Sequence, residues 1–267
     1  MRMTWNPNEL KELGYTINDR TLKDVIPFLE KFPGLFSQKD LTRGNDFVYS
    51  GAEHRGNPKL PNVTFIPNPP YIIGGFLLGS TFGHQHTQRQ TGDTRLFQEI
   101  YEFQTYGAML LRSEKSTRLI TLKPGEKVIV GTDENMTLFN LDKSPLLTLD
   151  YANPEMNSAT KNLEKRIGPL MAILRTNKEI CFCINPQYRK NGLVNEKRNS
   201  VVIRSPEIGK NLIKCMESQN EDFYQCGIEL TSGGNIPHEL SQEFANPLSQ
   251  LVNKKNKKLL DILQINT

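Results

Sequence analysis

The sequence predicts a mainly β chain, a barrel or sandwich of short strands set between a helical N-terminal extension and a mixed α/β C-terminal one. Three observations carry that reading. Between about 45 and 150, short apolar runs recur roughly every ten residues, separated by Asn-Pro, Pro-Gly and Gly-rich turns, the spacing of all-β barrels and sandwiches. The segment before them carries a helical stripe. After Tyr151, strand and helix signals alternate. The resulting divisions are 1–44, 45–155 and 156–267.

In the first division, Thr21 with Asp24 three positions on forms a capping box, and Leu22, Val25, Ile26 and Leu29 give an apolar stripe at helical spacing. Pro27 lies near enough to the helix start to be tolerated, and Pro33-Gly34 ends the pattern. The barrel strands are the runs NVTFIP, PYIIGGFLLG, FQEIYEF, AMLLRS, TRLITLK, KVIVG, MTLFNL and PLLTLDY. Farther on, PLMAILR and EICFCIN make a hairpin around Thr176-Asn177, and SVVIR adds a strand. Ser205 then caps a helix with Pro206 at its first position and Ile208, Leu212, Ile213 and Met216 on its apolar face. Asn246-Pro247 repeats the device before a final helix with the stripe Leu248, Leu251, Val252, Leu259 and Leu263. The run NKKNKK on that helix reads as a solvated face.

Lys and Arg number 33 against 29 Asp and Glu, for a net charge of +4. So mild an excess gives no concentrated basic patch and argues against a nucleic-acid partner, while suiting an anionic metabolite. The N-terminus MRMTWNPNELKELGY lacks the apolar core of a signal peptide. No apolar run reaches the roughly 18 residues that span a bilayer, so no membrane partner is expected. The four cysteines, Cys181, Cys183, Cys215 and Cys226, make no disulfide framework in a chain of this length, which places it in the cytoplasm. Cys181 and Cys183 flank Phe182 on a strand and point to one side. With no second half-site to complete a zinc set, they read as small buried apolar residues.

The chain has four histidines, and His84 and His86 share the segment Gly83-His84-Gln85-His86. Positions i and i+2 of a strand face the same side. Glu99, arriving on the next strand of a small barrel, completes a three-ligand nitrogen and oxygen set suited to Fe, Mn, Ni or Zn with coordination positions left open. His54 and His238, each alone, read as surface residues.

The motif has a family. Gly79-x-Thr81-x-Gly83-His84-x-His86, then Gln98-Glu99-Ile100-Tyr101-Glu102-Phe103 and Tyr106-Gly107-Ala108-Met109-Leu110-Leu111, resembles the first cupin motif. More closely, it resembles the cupin-type glucose-6-phosphate isomerases of archaea and some bacteria. Leu122-Lys123-Pro124-Gly125-Glu126-Lys127-Val128-Ile129-Val130 resembles the turn and strand that open the second motif. Val63-Thr64-Phe65-Ile66-Pro67 resembles the strand before the first, and Asn185-Pro186-Gln187-Tyr188 a feature of longer bacterial relatives. The resemblance covers about 60 to 155.

What it implies is a cupin double-stranded β-helix, a jelly-roll barrel, with one divalent metal ion in its mouth. It also implies aldose–ketose isomerisation of glucose 6-phosphate and fructose 6-phosphate or a related sugar phosphate, the work of glycolysis and gluconeogenesis. By position, His84, His86 and Glu99 would be ligands, with Glu99 also catalytic. Thr81, Gly83 and Thr64 would hold the sugar phosphate and Tyr101 would face it. Family members usually pair, which implies a homodimer. The chain departs from the family at its fourth ligand, a histidine eleven residues after the Pro-Gly glycine, where Met136 stands. A thioether is a soft ligand for such an ion. Either three ligands suffice, or Asp133, Glu134 or His54 substitutes, or the site is weak or empty and the chain is a non-catalytic cupin that binds a sugar phosphate or serves in assembly. The segment Thr87 to Gln98, with Arg89 and Arg95, is a second departure, and its arginines read as solvated loop charges. Other metal-dependent cupin chemistry, epimerase or oxygenase, is the remaining reading.

Overall fold

The computed structural model describes residues 5–24, 47–54, 60–67, 71–73, 76–78, 81, 85–87, 97–113, 115–131, 134–152, 159–161, 170–175, 179–185, 198, 200–204, 208–234 and 236. The chain opens with α1 (Pro7–Glu12), whose N-cap Asn6 accepts from the Glu9 amide with Pro7 in the first turn. Next comes β1 (Thr16–Thr21), paired antiparallel with β2 (Phe47–Glu53). This strand is an addition to the helical N-terminal extension read from the sequence. TINDRT is too polar to announce a strand, and it forms by pairing with the backbone of β2. The Thr21–Asp24 box is present: the Thr21 amide and hydroxyl both donate to Asp24 Oδ2, at 2.8 and 2.9 Å. Residues 22–24 are helical, and Val25, Ile26 and Leu29 lie outside the described residues.

The central strands follow: β3 (Asn62–Ile66), β4 (Tyr71–Ile73), β5 (Phe76–Leu78), β6 (Gln85–Thr87), β7 (Phe97–Phe103), β8 (Gly107–Arg112), β9 (Thr117–Leu122), β10 (Lys127–Gly131), β11 (Asn135–Asn140) and β12 (Leu146–Ala152), with β4 and β5 paired to each other as a separate two-stranded sheet. One sheet runs β1-β2-β3-β12-β7-β10, and the other contains β11-β8-β9, with β6 lying beside β11. The chain thus passes from β7 to the second sheet, returns at β10, crosses again at β11 and comes back at β12 between β3 and β7. That weave of mostly antiparallel strands is the strand order of a cupin-like jelly roll. The Pro124-Gly125 turn predicted between β9 and β10 is present. Gly125 takes φ +84°, and its amide donates to Phe103 O at 2.7 Å.

The C-terminal part supplies β13 (Ala159–Lys161), paired with β6, then β14 (Met171–Arg175), β15 (Ile180–Ile184) and β16 (Ser200–Ile203), which form a three-stranded antiparallel sheet. The predicted hairpin and third strand are those three. Next come α2 (Lys210–Ser218), α3 (Asn220–Gln225) and β17 (Glu229–Ser232). The α2 helix begins at Lys210 with Gly209 as N-cap, after the predicted stripe residue Ile208, and Ser205 and Pro206 lie outside the described residues. Gly209 takes φ +64° and its amide donates to Leu141 O at 2.6 Å, so contact with the chain after β11 sets the start. The predicted stripe Leu212, Ile213 and Met216 is buried. β17 pairs in parallel with β9, and the chain then passes over the backbone of Lys127 so closely that a Cβ on Gly234 would lie 2.0 Å from Lys127 O. The final helix read from Asn246 onward, with NKKNKK, lies outside the described residues.

Three apolar clusters hold these layers together. Between the two large sheets pack Ile66, Tyr101, Phe103, Met109, Leu111, Ile120, Leu122, Val128, Val130, Met136, Leu138 and Leu146. The outer face of the six-stranded sheet, with Val63, Phe65, Leu147 and Leu149, is covered by Leu10 and Tyr15, and Trp5 stacks on Phe65 at 4.9 Å between ring centroids. The outer face of the other sheet, with Ala108, Leu110, Leu119 and Phe139, packs on Phe182, Ile203, Leu212 and Phe223 of the C-terminal part. Among the described residues no helix is long and apolar enough to cross a membrane.

Candidate functional site

One region of the inter-sheet space is polar. Alternation along β7 turns Glu99, Tyr101 and Phe103 toward the opposing sheet, and antiparallel register sets Asp150 of β12 opposite Tyr101 and Thr148 opposite Phe103. Thr64 of β3 lies opposite Thr148. Five polar side chains therefore share one sheet face. Tyr101 donates its hydroxyl to Glu99 Oε2 at 2.5 Å. Thr148 donates to Asp150 Oδ1 at 2.8 Å, and Thr64 to Asp150 Oδ2 at 2.9 Å. Glu99 is 4 % exposed and Asp150 5 %, so two carboxyl groups sit together out of water.

Burial and the neighbouring charges shift Asp150 and Tyr101. Burial first, then the neighbouring Glu99 charge, holds the Asp150 carboxyl well above the usual carboxylate range, while the hydrogen bonds from Thr148 and Thr64 pull the other way. The Tyr101 phenol is also pushed up, by burial first and then by the Glu99 and Asp150 charges, so it stays a neutral donor to Glu99.

The other predicted site residues fall as follows. His84 and Gly83 lie outside the described residues, as do Asp133, Arg89, Arg95 and His238. His86 is in β6, opposite Thr160 of β13, on the strand beside β11. Thr81 is buried against β11: its amide donates to Leu138 O, and its hydroxyl accepts from the Leu138 amide, both at 3.0 Å. Thr64 is in the cluster as a donor to Asp150, and Tyr101 both packs in the inter-sheet core and bonds Glu99.

Met136 faces the interior, 1 % exposed, within the apolar cluster and opposite Leu111. Glu134 is engaged elsewhere, paired with the Arg118 guanidinium and accepting from the Gly131 amide at 2.8 Å. His54 sits past the end of β2, edge-on to the Tyr15 ring in the outer cluster, with centroids 5.1 Å apart.

Asp150 and Thr148 were missed in the sequence, although the alternation Thr148-x-Asp150 matches Glu99-x-Tyr101 on the partner strand. Among the described residues no three His, Cys, Asp or Glu side chains form a metal cluster. Of the predicted ligands only Glu99 has a described side chain, and with Asp150 it offers carboxyl oxygens, a donor type suited to a divalent cation. Two buried carboxyl groups side by side form an oxygen-rich set whose mutual repulsion a cation would relieve.

No family model matches the chain, and no curated protein does. Solved structures similar to it include the capsular polysaccharide assembling protein CapF from Staphylococcus aureus, at 15 % identity and TM-score 0.29, over 42 % of this chain and 31 % of that one. A sugar phosphate isomerase of the cupin superfamily from Silicibacter pomeroyi is similar at 12 % identity and TM-score 0.21, over 55 % of this chain and 69 % of that one. This chain thus spans less than a third of CapF, and its mainly β, cupin-like assignment rests on the strand order and registers above.

Proposed function

We propose that the chain is a metal-dependent aldose–ketose isomerase acting on glucose 6-phosphate and fructose 6-phosphate or a related sugar phosphate. The observation that carries the proposal is the buried Glu99–Asp150 pair with Tyr101 donating to Glu99, on the inner face of a jelly roll. The motif from Thr81 to Glu102 supports the same reading. Isomerisation moves a hydrogen between C1 and C2 through an enediol-like state. In this proposal Glu99 takes the proton from one carbon and returns it to the other, and the Tyr101 hydroxyl orients its carboxyl group. Asp150, pinned by two threonine hydroxyls, is held beside Glu99 as a carboxyl group that burial and the Glu99 charge keep from ionising readily. His84, His86 and Glu99 are the proposed ligands of a divalent ion, whose contribution when bound is to polarise the sugar oxygens and stabilise their developing charge. Thr81 and Gly83 are the proposed phosphate contacts. The Thr81 hydroxyl accepts from the Leu138 amide, which leaves its proton as the group to donate to a phosphate oxygen in this proposal.

Met136 favours a second reading. A thioether packed among apolar side chains at the position of the family's fourth ligand suits a sugar-phosphate binder without turnover. Conversion of fructose 6-phosphate to glucose 6-phosphate, measured as purified, after chelation, and after adding back Fe(II), Mn(II), Ni(II) or Zn(II), separates the two. Activity lost on chelation and restored by metal is the expected result. No turnover with any metal, alongside measurable sugar-phosphate binding, establishes the binder.

A further inference from the structure

The strand β15 carries a second chemical site, far in function from the barrel interior. Its burial alternates: Ile180, Phe182 and Ile184 point into the core against the barrel, while Cys181 and Cys183 lie half-buried on the opposite face. This corrects the expectation that both thiols are core residues. They do share a face, as their spacing predicts, but it is the face turned away from the barrel. On β16, Ser200 lies opposite Cys183 and Val202 opposite Cys181, and Val202 is 41 % exposed, so this face is open to a small reactant.

The two sulfur atoms are 3.3 Å apart and form a thiol–thiol hydrogen bond. Both cysteines are free. Among the described residues no third His, Cys, Asp or Glu joins them as a metal set. We infer that Cys181 and Cys183 form a redox-active dithiol that exchanges with low-molecular-weight disulfides, Cys181 attacking and Cys183 resolving.

The environment assigns these roles. The hydrogen bond from Cys183 lowers the Cys181 thiol to about 7, with burial opposing, a Ser200 hydrogen bond assisting and the Glu179 charge opposing. Cys183 is pushed up by that same hydrogen bond, by burial and by the Cys181 charge, so the shared proton stays on Cys183. In the first step the Cys181 thiolate attacks one sulfur of the disulfide, forming a mixed disulfide and releasing one thiolate. Cys183 then gives up its proton and attacks Cys181 Sγ, releasing the second small thiolate and closing the Cys181–Cys183 bridge. The dithiol is oxidised by two electrons and the small disulfide is reduced to two thiols. Closure is within reach. Residues two apart on a strand have Cα atoms about 6.6 Å apart, near the wide end of the about 4.4–6.8 Å that disulfides span. A bridge at that limit is readily reduced, which makes the exchange reversible.

The test treats the reduced full chain with glutathione disulfide, quenches in acid, alkylates the remaining thiols and maps the peptides by mass spectrometry. The expected result is a Cys181–Cys183 bridge in the wild type and a glutathione adduct on Cys181 in Cys183→Ser. In Cys181→Ser, the adduct on Cys183 should form about tenfold more slowly or less. Cys215, half-buried on α2, is the internal reference, and circular dichroism verifies that each variant is folded. A Cys181 adduct no faster than that on Cys215, or a mixed disulfide that persists in the wild type without closing, overturns the inference.

Discussion

Tyr101 and Glu99, two positions apart on one face of β7, are joined by a 2.5 Å hydrogen bond inside the jelly roll, and Asp150 of the adjacent strand lies directly opposite Tyr101. A phenol donating to a buried carboxyl group fixes its orientation. Tyr101→Phe removes that donor while keeping the ring in the core. Hydrogen bonds to charged groups contribute about 1.5–3 kcal/mol, so the proposed turnover should fall roughly 10- to 100-fold, read as kcat in the isomerase assay with metal present. Unchanged kcat would show that Tyr101 only packs.

Glu99→Gln removes the charge and the proposed base together. Loss of general base catalysis alone is worth about 100- to 10,000-fold. The variant should lose turnover to that extent while circular dichroism and thermal unfolding show the fold retained. Activity near the wild-type level would remove Glu99 from the mechanism.

Asp150 was not legible before its register was known, which makes it the sharper test of the site. Asp150→Asn keeps a carbonyl oxygen for one of the two threonine donors and takes a second carboxyl group away from Glu99. Metal affinity should drop if Asp150 helps to attract the cation, measured by competition with a fluorescent chelator. An affinity equal to the wild type would leave Asp150 a packing residue.

Met136→His places an imidazole where a thioether now packs among Met109, Leu111 and Leu138. Burying a polar ring there should cost about 1–3 kcal/mol in urea unfolding. If the position matches the family's fourth ligand, metal affinity should rise at least about tenfold, by 1.4 kcal/mol or more. A loss of stability with no gain in affinity would separate Met136 from the ligand position.

The dithiol makes a prediction in pH. Cys181 titrates near 7, with Cys183 and Ser200 stabilising its thiolate and Glu179, paired with Arg204 at 3.7 Å, opposing it. A depressed thiol is deprotonated above its own midpoint, so iodoacetamide should label Cys181 with a rate that rises through pH 7 and levels off before Cys183 begins to react. Coincident profiles for the two thiols would contradict the assignment of attacking and resolving roles.

What the sequence disclosed follows from how strongly each segment was patterned. The barrel strands were legible because runs such as NVTFI and FQEIYEF are apolar and bounded by turn residues, and Glu99 and Tyr101 because they belong to a spaced motif. Asp150 escaped because the six-stranded sheet is buried on both faces, so PLLTLDY reads as one apolar strand and its alternation does not say which face is functional. β1 escaped because TINDRT draws its order from β2. The α2 start at Lys210 escaped because it depends on the contact of the Gly209 amide with Leu141, which no local pattern announces. Cys181 and Cys183 were placed on a common face by spacing, but which side of the sheet met the core depended on packing no local pattern encodes.

The passage of Gly234 over Lys127 has a bearing on how this protein behaves in concentrated solution. β9 and β10 each end a run of barrel strands, and a bare strand of that kind recruits a second chain through its unpaired amides and carbonyls. β17 pairs along β9, and Gly234 lies against the backbone of Lys127 where β10 begins, so one short segment meets the edges of both sheets. A chain cut before Glu229 would keep its barrel strands yet expose β9, and would be expected to polymerise through that strand. Gly234 admits no larger residue there because the seal depends on backbone meeting backbone.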